Sequence, residues 1–168
     1  MPAARLNAAL GAWVRKCRLQ NSYDAAVAKR LGLRSVSDCG KRASFILDLQ
    51  QHDCHAFSDL GQNFVHCGIL ATAIAGCTTL TASLNDPEER TSVTTDLSVS
   101  YMSSARVGQV IRIDTNVLGL GGKLAFMEAH VKHDETDRMI AVGRHTMMFV
   151  GESGKATDFV NFPSTFDV

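Results

Sequence analysis

The most informative pattern in the chain is an apolar stretch near its middle. Residues 68–84 contain no charged side chain, and Asn85, Asp86 and Pro87 follow them as stop signals. A run that is apolar on every side is typical of a helix buried in a core. At 1.5 Å per residue this helix would be about 25 Å long, the width of a small domain.

After Pro87 the spacing of apolar residues changes from helical to alternating. Apolar and polar positions alternate in four segments, residues 93–101, 110–118, 124–133 and 139–150. Alternation is typical of strands with one buried face. Because short turns join the segments, we predict that they form an antiparallel meander. Residues 44–51 are predicted to form an earlier, first strand.

Helices are predicted before that first strand. Residues 6–18 follow the spacing of an amphipathic helix with a basic outer face, and residues 23–31 form a second helical stretch that ends at Gly32. The fold class is therefore α+β: an antiparallel sheet curled around a long central helix, with extra N-terminal helices. Covering that helix on all sides requires a second subunit.

We divide the chain into three parts. Residues 1–42 form a basic helical region, residues 43–150 the central domain, and residues 151–168 a polar C-terminal tail. A length of 168 residues corresponds to one domain. The 45% hydrophobic and 20% charged residues exclude a disordered or collagen-like chain. Because no uncharged apolar run reaches 18 residues, we expect no membrane span.

A net charge of zero conceals an uneven distribution. Residues 1–42 hold nine Lys and Arg but only Asp24 and Asp38, which gives +7, and the remaining residues sum to −7. The basic region is either a mitochondrial targeting segment or a helix docked on the domain. We expect no nucleic-acid partner.

The cysteines and histidines argue against disulfides and metal. The five cysteines are an odd number and contain no C-x-x-C pair, which favours a reducing compartment, the cytoplasm or the mitochondrial matrix. The pairs His52/His55 and His130/His133 have no third ligand at a suitable spacing. We therefore predict free thiols and no metal site.

Candidate chemistry lies at the start of the apolar helix, in the sequence His66-Cys67-Gly68. A helix N-terminus presents unpaired backbone N–H groups and the positive end of the helix dipole, which suits it to polarise a carbonyl group. A histidine that caps the helix beside a glycine that eases the turn would give the same pattern without any chemistry.

Four motifs in order resemble a known family. The run VHCGILATAIAGCTTLTA resembles the H-G-G-x-x-A-T-x-x-D helix of hotdog-fold acyl-CoA thioesterases of the phenylacetate-degradation type, a group that includes thioesterase superfamily member two. TTDLSVSYMSSARVGQVIRI is similar to the strand and turn of that family, with Ser104 where proline is usual. GGKLAF and IAVGRHT resemble the motifs of its last two strands.

The resemblance implies a hotdog fold, a homodimer or homotetramer, and an active site between subunits. It implies that backbone N–H groups of Cys67 and Gly68 polarise the thioester carbonyl, that His66 positions them, and that no cofactor is needed beyond the coenzyme A of the substrate. Candidate coenzyme A contacts are Arg106, Lys123, Arg144 and His145, with Tyr101 at the entrance of the site. Gly121 and Gly122 are also candidates, although they fit a hairpin turn better than a phosphate loop.

The chain departs from the family at the catalytic acid. Nine residues after His66, where the family has an Asp or Glu that acts on the opposite subunit's substrate, stands Ala75. Candidate replacements for the acid are Thr78, Thr79, Thr94 and Asp59. The asparagine that the family often has before the histidine has no clear match either, and the nearby candidates are Asp59, Gln62 and Asn63.

Four hypotheses remain open at this stage. The protein is an acyl-CoA thioesterase that uses another group, a non-catalytic or weakly active acyl-thioester-binding protein, an enzyme with Cys67 as nucleophile, or a hydratase-like hotdog protein. The first is the leading expectation, which makes the protein a hydrolase of fatty acid metabolism.

Overall fold

The structure, a computed structural model, describes residues 2–20, 22–55 and 63–150. Its helices are α1 (Pro2–Gln20), α2 (Ala25–Ala28) and α3 (Cys67–Leu84). Its strands are β1 (Leu31–Val36), β2 (Arg42–Asp48), β3 (Thr91–Tyr101), β4 (Val110–Leu120), β5 (Leu124–His133) and β6 (Met139–Val150). The prediction of a long central helix followed by four long strands is confirmed. The predicted tail, residues 151–168, lies outside the described residues.

The six strands form one antiparallel sheet in the order β1-β2-β4-β5-β6-β3. Strands β4, β5 and β6 form a meander, but β3 pairs with β6 and not with β4, so the predicted four-strand meander is wrong at its first strand. The connection of residues 102–109 spans up to about 26 Å when extended. Crossing three strand spacings takes only about 14 Å, so a short loop does not force β3 and β4 to be neighbours.

Helix α3 packs across one face of this sheet. Its buried side includes Leu70, Ala73, Ile74 and Cys77, which join the main hydrophobic core with side chains of β2, β4 and β5. By length and composition alone α3 is also apolar enough to cross a membrane. In the structure the buried apolar side chains of α3 pack against the sheet, as predicted for a core helix.

The N-terminal helices differ from their prediction in extent. Helix α1 places Leu6 and Leu10 in the main core and contacts α3, as expected of a docked amphipathic helix. Helix α2 has only four residues, and the chain continues directly into β1, a strand that the sequence did not predict. Gly32 lies within β1, where it pairs with Ile46 of β2, and does not end a helix. The sheet thus begins before residue 42.

Candidate functional site

The start of α3 is capped by His66. The His66 backbone is extended, and its Nδ1 accepts a hydrogen bond from the Gly68 N–H at 2.9 Å. A Cβ atom at residue 68 would lie 2.8 Å from that Nδ1, which is too close for contact. Glycine is therefore required at this position by the capping imidazole itself.

This cap changes the predicted role of the two N–H groups. The Gly68 N–H is already occupied by His66, and Ile69 donates to the His66 carbonyl. The Cys67 N–H meets no acceptor in the part of the chain that the structure describes. A carbonyl oxygen approaching the positive end of α3 therefore finds its available donor at Cys67.

The loop before α3 is held by a buried ion pair. The Asp53 carboxylate accepts two hydrogen bonds from Arg30, at 2.7 and 2.8 Å, and a third from the Gln50 N–H at 2.8 Å. The Asp53 carbonyl accepts from the His66 N–H at 2.7 Å, and the His55 ring lies 4.6 Å from the His66 ring. The ion pair thus determines where the capping histidine sits.

Tyr101 approaches the same helix end from β3. Its hydroxyl donates to the Cys67 carbonyl at 3.1 Å, and its side chain remains partly exposed. Burial, followed by the neighbouring Cys67, raises the pKa of Tyr101 above its ordinary value, so the phenol is neutral at physiological pH. Tyr101 therefore lies beside the start of α3, and its place at the entrance of the site stays a prediction.

A cavity of about 600 Å³ lies beside the middle of α3. Its α3 wall includes Ala75, Gly76 and Thr79, and the other walls come from α1, the residues before α2, and β3. Ala75, where the sequence resemblance implies an acid, therefore lines an open space. Asp24 is the one acidic side chain among the described residues that line it, and Lys16 is the one basic side chain.

A histidine is buried behind this cavity. The His145 side chain on β6 is 1% exposed, and its Nδ1 lies 2.7 Å from the Thr78 hydroxyl of α3. Its Nε2 lies 2.9 Å from the Thr94 hydroxyl of β3, and Thr94 lines the cavity. Burial lowers the pKa of His145 below its ordinary value, an effect that Asp96 partly opposes. The imidazole is therefore neutral near pH 7.

The two threonines after Ala75 point in different directions. Thr78 is fully buried, and its hydroxyl donates to the Ile74 carbonyl at 2.7 Å, so it cannot hold a water in the cavity. Thr79 does line the cavity, and its hydroxyl points to the Met147 sulfur at 3.3 Å. Of the two predicted water-holders in α3, only Thr79 has access to a ligand.

Part of the chain is similar to known proteins. The sequence profile of the thioesterase superfamily matches residues 62–140, the segment that runs from the helix cap through β5. This segment, just under half of the chain, is similar to the thioesterase superfamily. It is 35% identical over 82 residues to human acyl-coenzyme A thioesterase 13, and 34% identical over 55 residues to the putative esterase F42H10.6 of Caenorhabditis elegans. The human alignment covers 49% of this chain and spans 58% of the relative's length.

Solved structures show that the similarity extends to the fold. Thioesterase superfamily member 2 from Mus musculus superposes with a TM-score of 0.67 at 23% identity, covering 85% of this chain and 93% of the mouse chain. The protein smu.793 from Streptococcus mutans, solved bound to acetyl CoA, superposes with a TM-score of 0.63 at 16% identity, covering 73% and 90%. The predicted hotdog fold is confirmed.

Within this hotdog fold, the predicted coenzyme A contacts do not form one group. Tyr101 and Arg106 lie near the start of α3, where Arg106 packs over the Phe64 ring. Arg144 is exposed on the opposite face of the sheet from His145, because neighbouring strand residues point to opposite faces. Gly121, Gly122 and Lys123 form the hairpin turn between β4 and β5. His145 is buried, so the prediction that it contacts coenzyme A phosphates is wrong.

The remaining predicted site residues are placed as follows. Asp59 and Gln62 lie outside the described residues. Asn63 adopts a positive φ of 40° and its carbonyl accepts from the Val107 N–H at 3.1 Å. Cys67 is a partly exposed free thiol at the first position of α3. Lys16, Asp24 and the Arg30–Asp53 pair were not predicted as site residues, because only tertiary packing brings them here.

Proposed function

We propose that the protein hydrolyses acyl-CoA thioesters to a free acid and coenzyme A. The observation that carries this proposal is the cavity beside α3, in which Ala75, Thr79 and Thr94 meet at the position where the family resemblance puts catalysis. The name of the human relative, acyl-coenzyme A thioesterase 13, and the acetyl CoA bound to the Streptococcus mutans neighbour support this choice of substrate.

A second copy of the chain completes the proposed site. About 12 Å of helix separates Cys67 from Ala75, so one thioester carbonyl cannot touch both regions of the same α3. Strand β3 is an eleven-residue edge strand that pairs only with β6 among the described strands, and such an edge is a template for pairing. Two copies joined along β3 in antiparallel fashion would bring the helix start of one to the cavity of the other. We propose a homodimer with two such sites, which can pair again into a tetramer.

Charge near the cavity supports an anionic ligand. Lys16 lines the cavity and belongs to the N-terminal region that carries a charge of +7. An ammonium group there would stabilise a phosphate of coenzyme A. Tyr101 and Arg106 are the proposed contacts near the helix start. We assign Arg144 and Lys123, which lie elsewhere on the sheet, no role within the cavity itself.

A specific observation favours a second candidate function. Helix α3 has no acidic residue, and the sequence resemblance implies an acid at the position that Ala75 occupies. A chain that retains the pocket but has lost the base would bind acyl-CoA without rapid turnover. This binding-protein hypothesis is therefore tested together with the hydrolase.

The deciding experiment compares wild type with Ala75→Asp. Steady-state hydrolysis is measured on acyl-CoA substrates of increasing chain length, and binding of a non-hydrolysable thioether analogue is measured by calorimetry. We expect slow wild-type turnover and an increase of about 10²-fold in kcat for Ala75→Asp, the scale of a well-placed general base. Ala71→Asp is the matched control, because it adds the same carboxylate one turn earlier on α3, at a residue that does not line the cavity.

Each outcome separates the two functions. Wild-type turnover supports the hydrolase. A silent wild type that binds the analogue, with an active Ala75→Asp, establishes the binding protein and refutes the hydrolase. Neither turnover nor binding refutes both.

The proposed dimer has its own test. Light scattering at micromolar concentration should give twice the 18.2 kDa chain mass or a multiple of it. A monomeric mass under conditions where the protein is active would contradict a site shared between subunits.

We propose the cytoplasm or the mitochondrial matrix as the compartment. The packing of Leu6 and Leu10 from α1 into the core supports retention of α1 in the folded protein. The mass of the protein purified from its native cells tests this retention: a product that lacks α1 would contradict it and would favour import into the matrix.

A further inference from the structure

We propose that His145, acting through the Thr94 hydroxyl, replaces the carboxylate that α3 lacks as the base for thioester hydrolysis. This inference rests on the proposed hydrolase function and goes beyond it, because it names the proton acceptor. Thr94 is the residue that meets the attacking water, and His145 lies behind it.

The hydrogen bonds of the Thr78 hydroxyl assign the tautomer of the His145 imidazole. The Thr78 hydroxyl has one hydrogen, which it donates to the Ile74 carbonyl at 2.7 Å and shares with the Ala75 carbonyl at 3.0 Å. Its remaining contact, to His145 Nδ1 at 2.7 Å, must then be one in which Thr78 accepts. The proton of the neutral imidazole is therefore on Nδ1.

This tautomer leaves the basic nitrogen facing the cavity wall. With Nδ1 protonated, Nε2 carries the lone pair and accepts a hydrogen bond from the Thr94 hydroxyl at 2.9 Å. Thr94 is exposed on the side that faces the cavity, whereas His145 is buried. The arrangement is that of a hydroxyl group paired with a histidine base, where a third group, here Thr78, orients the base.

The surroundings of His145 keep it ready to accept a proton. Burial holds the imidazole neutral, and Asp96 on β3 is the charged group of the described chain that acts on it. The strand partners across from His145 are Leu97 and Met127, which are apolar. An imidazolium formed during reaction would be stabilised by Asp96 and by its hydrogen bond to Thr78.

The step balances with water as the only co-reactant. The water oxygen attacks the carbonyl carbon of the thioester, its proton passes to the Thr94 oxygen, and the Thr94 proton passes to Nε2. The carbon–sulfur bond then breaks. Coenzyme A leaves as a thiolate and recovers the proton from the imidazolium through Thr94, so that the products are a carboxylic acid and a thiol.

Asp24 is the competing base, since it is the described acid that lines the same cavity. It lies on the segment before α2 and has no contact with the His145 group among the described residues. Asp24→Asn therefore separates the two bases: if His145 accepts the proton, this variant should lower kcat far less than His145→Gln does.

The test uses variants that separate hydroxyl chemistry from packing. Thr94→Val removes the hydroxyl with little change of shape, and Thr94→Ser retains it. We expect Thr94→Val and His145→Gln each to lower kcat by about 10²-fold or more, Thr94→Ser to stay within a few-fold of wild type, and the Val/Gln double variant to lose no more than either single variant. Thermal melts and analogue binding check that each variant is folded.

The pH profile is a readout that a merely structural role would not move. Wild-type kcat should fall as the pH decreases through one titrating group whose pKa lies below the ordinary value of histidine. Thr94→Ser should keep that acid limb, and His145→Gln should lose it. Nitrogen NMR shifts of His145 report the tautomer independently of activity and remain available if His145→Gln does not fold. A wild type that hydrolyses no acyl-CoA overturns both proposals. Three other results overturn this inference only: turnover that survives His145→Gln, a proton found on Nε2, or a loss of kcat in Asp24→Asn alone.

Discussion

Removing the guanidinium of Arg30 should be among the most damaging single changes outside the hydrophobic core. The Asp53 side chain is 0% exposed and that of Arg30 is 11% exposed. In Arg30→Met the aliphatic stem is retained, but Asp53 loses two hydrogen bonds and the positive charge of the guanidinium. Among the described residues, the other basic group near the carboxylate is the exposed His52 ring, whose Nε2 lies 3.6 Å from Asp53 Oδ1. A buried carboxylate would then depend chiefly on the Gln50 N–H.

The expected cost follows from that burial. Breaking a buried ion pair by removing one partner costs about 3–5 kcal/mol, because the remaining charge is desolvated without compensation. For a domain of this size the urea dependence of the unfolding free energy is about 2 kcal/mol per M. The urea midpoint should therefore fall by roughly 1.5–2.5 M, a large part of the stability of an ordinary domain.

Equilibrium urea unfolding followed by circular dichroism measures this effect. The control is the double variant Arg30→Met/Asp53→Leu, which leaves no unpaired charge and should recover most of the loss. A midpoint for Arg30→Met within about 0.5 M of wild type, or a double variant as unstable as the sum of the single ones, would refute the reasoning.

Three further predictions concern close packing and protonation. Gly143→Ala places a Cβ 2.8 Å from the Ile74 Cγ2, and since Ile74 is buried and stiff the free energy of unfolding should fall by about 1–3 kcal/mol; an unchanged melting temperature would contradict this. Gly76→Ala places a Cβ 2.6 Å from the ring of Trp13, the sole tryptophan, so the fluorescence maximum should shift to longer wavelength as the ring leaves α3. Because burial lowers the pKa of His145 in the folded protein, the unfolded chain binds more protons between that lowered pKa and its ordinary 6.5. Wild-type stability should be fully present above pH 6.5 and decline as the pH falls through this window, and a His145→Gln variant with the same decline would contradict the assignment.

Much of the secondary structure was predictable from local pattern. The predicted ranges 124–133 and 139–150 coincide with β5 and β6, and the predicted helix 68–84 differs from α3 by one residue. Long amphipathic or fully apolar runs carry their periodicity within themselves. The six-residue β1 has no such run, and Gly32 resembles a helix stop, so this strand was missed.

The candidate site was predictable only in part. His66, Cys67 and Gly68 are adjacent in sequence, so their place at the start of α3 followed from the helix boundary. The proposed roles of Thr94 and His145 depend on a hydrogen bond between strands 51 residues apart in the chain, and no local pattern records it. The prediction that His145 contacts coenzyme A was wrong because its side chain is buried, and alternation along β6 does not reveal which face carries the helix.

The sequence by itself determined most of the elements, the single long core helix, the excess of positive charge in residues 1–42 and, through its motifs, the resemblance to the thioesterase family, with Ala75 where that resemblance implies an acid. Only the tertiary structure decided the order of the strands, the occupation of the Gly68 N–H by His66, and the meeting of Lys16, Asp24 and Thr94 around one cavity. Periodicity reports which side of an element is buried. What lies against that side depends on packing between distant segments, where hydrogen-bond partners and charges are set by the fold.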